Sequence, residues 1–366
     1  MPSLSKILVQ DFRNISFQEI EFSPNINCIS GNNGTGKTNL LDAIYYLSLS
    51  KSAFPLPDKA NIRYGADAFS IGGTYSMENG LEERFSVHVG PEGKRIARGD
   101  KVYPRAADHI GILPLVMVCP GDIGLISESG EGRRRFSNAV LSQMSRSYLY
   151  SIQTYLKLLS DRNRILKSPS PDDELLFVLD KRMEDAAIPV FEARKKLCGQ
   201  LRPVVKEYYK MISGGGEEVD IRYRSDLSEG PLTEILAASR ERDRILKYTY
   251  AGLQRDDFEF TMNGHSIRRA GSQGQQKSFL LSLKFAQYEI MKDGYGFPPI
   301  LLLDDVFDKL DMTRISHLIS MVAGNEFGQI FITDSNKVRL QGIVEKITDE
   351  RAYFEASAGE FRKILE

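Results

Sequence analysis

At 366 residues the chain is longer than one compact core usually holds, so two lobes are expected. With 42% apolar and 27% charged residues and a formal net charge of -1, it reads as an ordinary globular protein. Binding to nucleic acid through overall charge is excluded, and any such binding needs a local basic patch. No apolar run approaches a bilayer span and Met1-Pro2-Ser3-Leu4-Ser5-Lys6 lacks a signal-peptide core, which predicts a cytoplasmic protein without membrane contact. Cys28, Cys119 and Cys198 fit neither a disulfide framework nor a zinc site and are read as buried free thiols.

Up to about residue 125 the chain is strand-rich. Ile7 to Gln10, Gln18 to Phe22, Ile26 to Ile29, Ala68 to Tyr75 and Glu83 to His88 alternate apolar and polar residues between Gly and Pro breaks. They predict a small antiparallel sheet over a helix. That helix begins within the most informative segment, where the strand from Ile26 runs into Gly31-Asn32-Asn33-Gly34-Thr35-Gly36-Lys37-Thr38 and then the apolar face Leu40, Leu41, Ile44 and Leu47. This is G-x-x-x-x-G-K-[ST] in its strand-loop-helix context. Glycines let successive N–H groups curl round a phosphate, and the helix start points its positive end at the same anion. Lys37 is expected to reach the β and γ phosphates, and the Thr38 hydroxyl to hold Mg2+. A nucleoside triphosphate and Mg2+ are therefore the expected ligands.

From Gly132 to Ile212 the periodicity is helical. Tyr148, Ile152, Tyr155 and Leu159 form one face, and a second helical segment runs from Glu174 towards Ile212, interrupted by Pro189 and Pro203. A lobe over 131–213 is expected as a helical lid, with a discontinuous head at 1–130 and 214–366. Between Arg133 and Lys167 stand Arg133, Arg134, Arg135, Arg146, Lys157, Arg162, Arg164 and Lys167 against one acid, Asp161. Of these, Arg133, Arg134, Arg135, Arg162, Arg164 and Lys167 are the expected sequence-independent contacts to DNA phosphates. The alternatives are an ordinary solvated helical face, or pairing of Arg133 to Arg135 with acids across the lobe interface.

The last third alternates helix and strand, which implies parallel strands under helices. A helix is expected from Gln273 to Lys292, a strand at Ile300 to Leu303, a helix from Asp308 to Val322 and a strand at Gln329 to Thr333. The Ile300 strand ends in Asp304-Asp305, from which Asp304 is assigned to the metal and Asp305 to polarising the attacking water. Gly271-Ser272-Gln273-Gly274-Gln275-Gln276 precedes the Gln273 helix and makes a second anion-suited helix start, or else a simple cap in which Ser272 satisfies backbone N–H groups.

The loop, the Ser-Gln-Gly-Gln-Gln run, the Asp-Asp strand and Asp308-Lys309-Leu310-Asp311 resemble the ABC-type ATPases of the SMC and Rad50 group, and in detail the bacterial RecF family. Asp11-Phe12-Arg13-Asn14, Cys119-Pro120-Gly121-Asp122, Leu141-Ser142-Gln143, Asp161-Arg162-Asn163 and Arg255-Asp256-Asp257 carry the resemblance over nearly the whole chain. It implies an α/β fold, with an ABC-ATPase-like head of mixed sheet and helices plus the helical lid. It also implies ATP sandwiched between head-to-tail subunits, with Ser272, Gly274 and Gln275 reaching the partner's nucleotide and Asp311 on the seam. Thr333 stands where many ABC ATPases carry a γ-phosphate-sensing histidine.

The function implied is an ATP-dependent clamp on junctions of single- and double-stranded DNA, serving gap repair, replication and SOS induction beside the mediator proteins RecO and RecR. Asp305, one methylene shorter than the usual glutamate, implies weak hydrolysis. Gly252-Leu253-Gln254-Arg255-Asp256-Asp257 departs from the family's Gly-Pro-His-Arg-Asp-Asp, and Asp308 from its serine. No glutamine loop is evident near Cys119. A P-loop small-molecule kinase with a helical lid is the alternative; it does not need the Ser272 cradle.

Overall fold

The structure is a computed structural model that describes residues 2–77, 80–307, 314–315, 327–337, 342 and 350–364. Contacts divide the chain into two compact units, Met1–Asp122 with Gln287–Glu366, and Ile123–Ala286.

In the first unit, alternation produces half-buried antiparallel strands. β1 (Ser3–Phe12) buries Leu4, Ile7, Val9 and Phe12 and turns tightly into β2 (Ile15–Glu21), pairing Phe12 with Ile15. The continuous apolar run of β3 (Ile26–Ser30) is buried at every position, as a strand covered on both faces must be. α1 (Lys37–Leu49) follows the phosphate loop. β4 (Phe69–Ser76) buries every second residue, and β5 (Glu82–Gly90), β6 (Gly93–Arg98) and β7 (Lys101–Val102) complete a sheet of order β2-β1-β4-β5-β6-β7. Phe12, Tyr46 of α1 and Phe69 meet edge to face with centroids 5.1 to 6.1 Å apart, joining this sheet to the helix. Each such ring contributes about 1.5–3 kcal/mol by burial.

In the second unit, α2 (Gly124–Ser127), α3 (Gly130–Met144), α4 (Arg146–Leu166) and α5 (Asp173–Ser213) follow β8 (Leu115–Val118) of the first. Then come β9 (Val219–Arg224), α6 (Leu232–Ala238), α7 (Arg240–Leu246), β10 (Asp257–Met262), β11 (His265–Ser266) and α8 (Ile267–Ala270). α9 (Gln273–Tyr295) begins here and ends in the first unit. The expected break in α5 does not occur. Pro189 and Pro203 lie on its exposed face, and the residues four earlier, Asp185 and Gly199, are also exposed, so the carbonyls the prolines free can reach water. The second unit reaches beyond the 131–213 of the sequence expectation. β9 pairs with β10, and the buried pair Arg194–Asp256 ties the start of β10 to α5.

Back in the first unit, β12 (Ile300–Asp304), β13 (Ile330–Asp334), β14 (Arg351–Ser357) and β15 (Glu360–Ile364) build the second sheet, in the order β15-β14-β3-β13-β12-β8. All neighbours are parallel except β14 and β15. The helix expected from Asp308 to Val322, with Asp308 and Asp311, lies outside the described residues apart from 314–315. The three cysteines are buried thiols outside any disulfide among the described residues.

Candidate functional site

Parallel strands gather their carboxyl ends, and ligands of such sheets collect there. β3 delivers the phosphate loop. Gly36, at φ 109°, is the left-handed turn that starts α1, and a Cβ on it would sit 2.8 Å from the Asn14 side chain. A Cβ on Gly31 would meet the Ala356 carbonyl at 2.5 Å, so both glycines are required by space. Asn32 to Gly34 are exposed, and a Cβ on Gly34 would meet nothing within 4 Å, which leaves the loop mouth open. No acid stands in the first turn of α1, so nothing on the helix itself neutralises its positive end.

Lys37 is buried and curls back over the loop, its Nζ donating to the carbonyls of Gly31 (2.6 Å) and Asn32 (3.0 Å). Thr35 closes the turn by donating to the Asn32 carbonyl at 2.8 Å. An ammonium held at the centre of a ring of backbone groups fits a polyphosphate chain.

The strand carrying Asp304 is not the immediate neighbour of β3; β13 lies between them, pairing Asp304 with Thr333 and Asp334 with Ser30. Thr38 nonetheless reaches Asp304, its Oγ1 donating to Oδ2 at 2.8 Å. This hydroxyl and carboxylate are the pair suited to a divalent cation. Among the described residues no cluster of three or more His, Cys, Asp and Glu offers an alternative. Burial pushes the Asp304 carboxyl above the usual range, opposed by the hydrogen bonds from Thr333 and Thr38.

Thr333 stands beside both acids. It is fully buried; its hydroxyl donates to Asp304 Oδ1 at 2.6 Å and accepts the Asp305 N–H at 3.1 Å. That geometry ties the Asp304 carboxylate to the Asp305 backbone. Asp305 sits at φ 50°, a left-handed backbone that costs about 1–2 kcal/mol and is held by these bonds to Thr333.

Sequence reasoning missed the braces around the loop. Arg13 forms an ion pair with buried Asp42 at 2.7 Å and donates to Asn61 (3.1 Å), Asn39 (3.0 Å) and Ser52 (3.0 Å). Asn39 donates to Asn14 at 2.7 Å, and Asn14 to the Thr35 carbonyl at 3.3 Å. From the far end of the chain, the Gly359 N–H donates to the same carbonyl at 2.8 Å. Arg13 and Asn14 follow directly on β1, and the Asp11-Phe12-Arg13-Asn14 run that marks them in the sequence gives no sign of this bracing role.

In the second unit, Ser272 is exposed and caps α9 in a reciprocal box. Its Oγ accepts the Gln275 N–H at 3.2 Å, while Gln275 Oε1 accepts the Ser272 N–H at 2.8 Å. Gln275 Nε2 donates to Glu217 at 2.6 Å, so both ends of this side chain are engaged inside the protein. Gly274, in the first turn of α9, is half-buried. The unusual Gln254 also has a place, accepting from the Tyr155 hydroxyl at 2.6 Å and donating to the Ala251 carbonyl at 2.7 Å.

The basic run is divided by the fold. Arg162 is fully buried between Asp180 (2.7 Å) and Asp243 (2.6 Å), which removes it from the surface. Arg133 is held by both oxygens of Asp257 at 2.7 and 3.0 Å, an acid of its own unit, and half-buried Arg134 donates to the Asp256 carbonyl at 2.8 Å. Arg135 and Arg164 are exposed and, among the described residues, pair with helical neighbours, Glu131 and Asp161, and Lys167 is exposed.

The chain is similar to known proteins along nearly its whole length. A family model for an AAA domain matches residues 6–103. The chain is 44% identical to the DNA replication and repair protein RecF of Parabacteroides distasonis, covering 99% of this chain and 100% of that one. It is 42% identical to RecF of Phocaeicola vulgatus, covering 98% and 97%. Among solved structures it is similar to the recombination mediator protein RecF with ATP, of the RecFOR pathway, with TM-score 0.89 and 27% identity over 100% and 98% of the two chains. In fold alone it is similar to an Smc head domain from Pyrococcus furiosus, with TM-score 0.57 and 16% identity over 100% and 96%. With a complete phosphate loop and full-length kinship at this identity, the chain belongs to the RecF family of DNA replication and repair proteins.

Proposed function

We propose that this protein is an ATP-controlled clamp on DNA, closing as a head-to-tail homodimer when ATP is bound and opening on slow hydrolysis. Its family makes it an ATP-binding protein of DNA replication and repair, and leaves the small-molecule kinase reading without support. One observation carries the clamp. The chain has two helix starts suited to phosphate, the phosphate loop of the first unit and exposed Ser272 of the second, where one nucleotide needs one. In the clamp, the loop from Gly31 to Lys37 holds the phosphates of ATP, Thr38 and Asp304 hold Mg2+, and Asp305 orients the attacking water. Ser272 donates its hydroxyl to the nucleotide of the partner subunit. The first unit, with α9 and the strands after it, acts as the head and the second as the lid. Arg135, Arg164 and Lys167 offer the phosphate contacts, and single-strand gaps bordering duplex are the substrate, with RecO and RecR as partners. No helix among the described residues is long and apolar enough to cross a membrane.

Light scattering without nucleotide, with ADP and with ATP, each with and without a gapped duplex, tests the clamp. ATP alone should convert monomer to dimer, the duplex should strengthen the dimer, and Ser272→Arg should abolish it. A chain that hydrolyses ATP while remaining monomeric would refute the composite site.

The buried hydroxyl of Thr333 leads to a further expectation. Thr333→Val should lower ATP turnover about tenfold, the worth of one well-placed hydrogen bond, with nucleotide affinity within about twofold. Thr333→Ser should restore turnover. The opposite pattern, weakened affinity at unchanged turnover, would place Thr333 against the nucleotide.

A further inference from the structure

We infer that Glu217 is a positioning residue for the Ser272 cap, tying it to the end of the longest helix. This rests on the composite-site reading. Glu217 is half-buried just after Gly214-Gly215-Gly216, where α5 has ended and β9 has not begun. Its Oε1 accepts from Gln275 Nε2 at 2.6 Å, and its Oε2 accepts from the Tyr209 hydroxyl at 3.3 Å. Tyr209 is fully buried in the last turns of α5, its ring 6.4 Å from that of Phe279 on α9. A carboxylate with one oxygen on each side is a rigid bridge, and its charge strengthens both bonds.

The bridge bears on the cap because Gln275 is shared. With its Nε2 fixed by Glu217, Gln275 Oε1 can turn only towards the Ser272 N–H, which it meets at 2.8 Å. The Gln275 N–H then takes a lone pair of Ser272 Oγ, so the remaining O–H of this exposed serine points away from the helix as a free donor. Preorganising a donor in this way spares the cost of ordering it when an anion arrives. Without Glu217, Gln275 is free to turn to water and Ser272 to rotate.

Light scattering across a range of protein concentrations at saturating ATP, beside titration of the monomer with a fluorescent ATP analogue, tests the bridge. Glu217→Ala should weaken the dimer about 25-fold, roughly fivefold at each of two equivalent sites, with monomer nucleotide affinity unchanged and the thermal midpoint lowered by no more than about 4 °C. Glu217→Gln, which keeps an acceptor for Gln275, should stay within about threefold of the parent. Gln275→Leu should weaken the dimer as Glu217→Ala does, and the double variant no further, since both break one network. Dimerisation of Glu217→Ala like the parent, or additive losses in the double variant, would overturn the inference while leaving the composite site intact, provided Ser272→Arg still blocks assembly. Should Ser272→Arg also assemble normally, the composite site itself falls.

Discussion

Replacing Arg162 with methionine is expected to destabilise the protein by about 3–5 kcal/mol, enough to consume much of the stability of an ordinary domain. Arg162 is enclosed by Asp180 and Asp243, both buried, and also donates to Thr249 at 2.9 Å. Methionine fills the space of the stem but leaves two buried carboxylates without their shared guanidinium, with Arg240 still on Asp180 at 2.8 Å and the Tyr250 N–H on Asp243 at 2.8 Å. Urea denaturation followed by circular dichroism measures the loss, and a change below about 1 kcal/mol would contradict the buried network. Arg164→Glu with Lys167→Glu provides the contrast. Those side chains face water, so stability should hold, while DNA affinity falls and its salt dependence becomes shallower by about two phosphate contacts. If instead Arg162→Met weakened DNA binding at full stability, this residue would have to leave its aspartates to reach the duplex.

Lys37→Met should lower ATP hydrolysis and ATP-driven association by at least about a hundredfold, the scale of removing one preorganised charge from a phosphoryl-transfer site. Methionine preserves the stem packed beneath the loop. The Gly31 and Asn32 carbonyls lose their donor, but the loop is open enough for water to replace it, and the midpoint of unfolding should move little. Hydrolysis assays and light scattering read both effects. Turnover within tenfold of the parent would mean that another cation meets the phosphates.

The parts of the site that are contiguous in sequence were legible there. Gly31 to Thr38 announces itself because phosphate binding by backbone demands small residues at fixed spacing, and the apolar run ending in Asp304-Asp305 marks a buried strand emerging at its carboxyl end. Arg162 was misplaced although a signal existed: it lies seven residues beyond Tyr155 and fourteen beyond Tyr148, on the apolar stripe of α4. Charge alone suggested a surface residue; periodicity placed it inside. Other relations have no local trace. Asp180 and Asp243 lie far along the chain from Arg162, Gly359 braces a loop more than three hundred residues earlier, and only the sheet order shows β13 standing between β3 and β12. Pro189 and Pro203 argued for a broken helix because a proline's cost depends on whether the freed carbonyl is wet, which sequence does not state.

The unbroken course of α5 makes it the spine of the second unit. At 1.5 Å per residue its 41 residues span about 60 Å, roughly three times the length of β9 beside it. Buried side chains run along it from Leu176 to Ile212, and Asp180 near its start and Arg194 at its middle are locked in buried ion pairs. A displacement of either end must therefore carry the whole rod with it, so the turn that holds Tyr209 and the turn that starts at Asp173 move together or not at all.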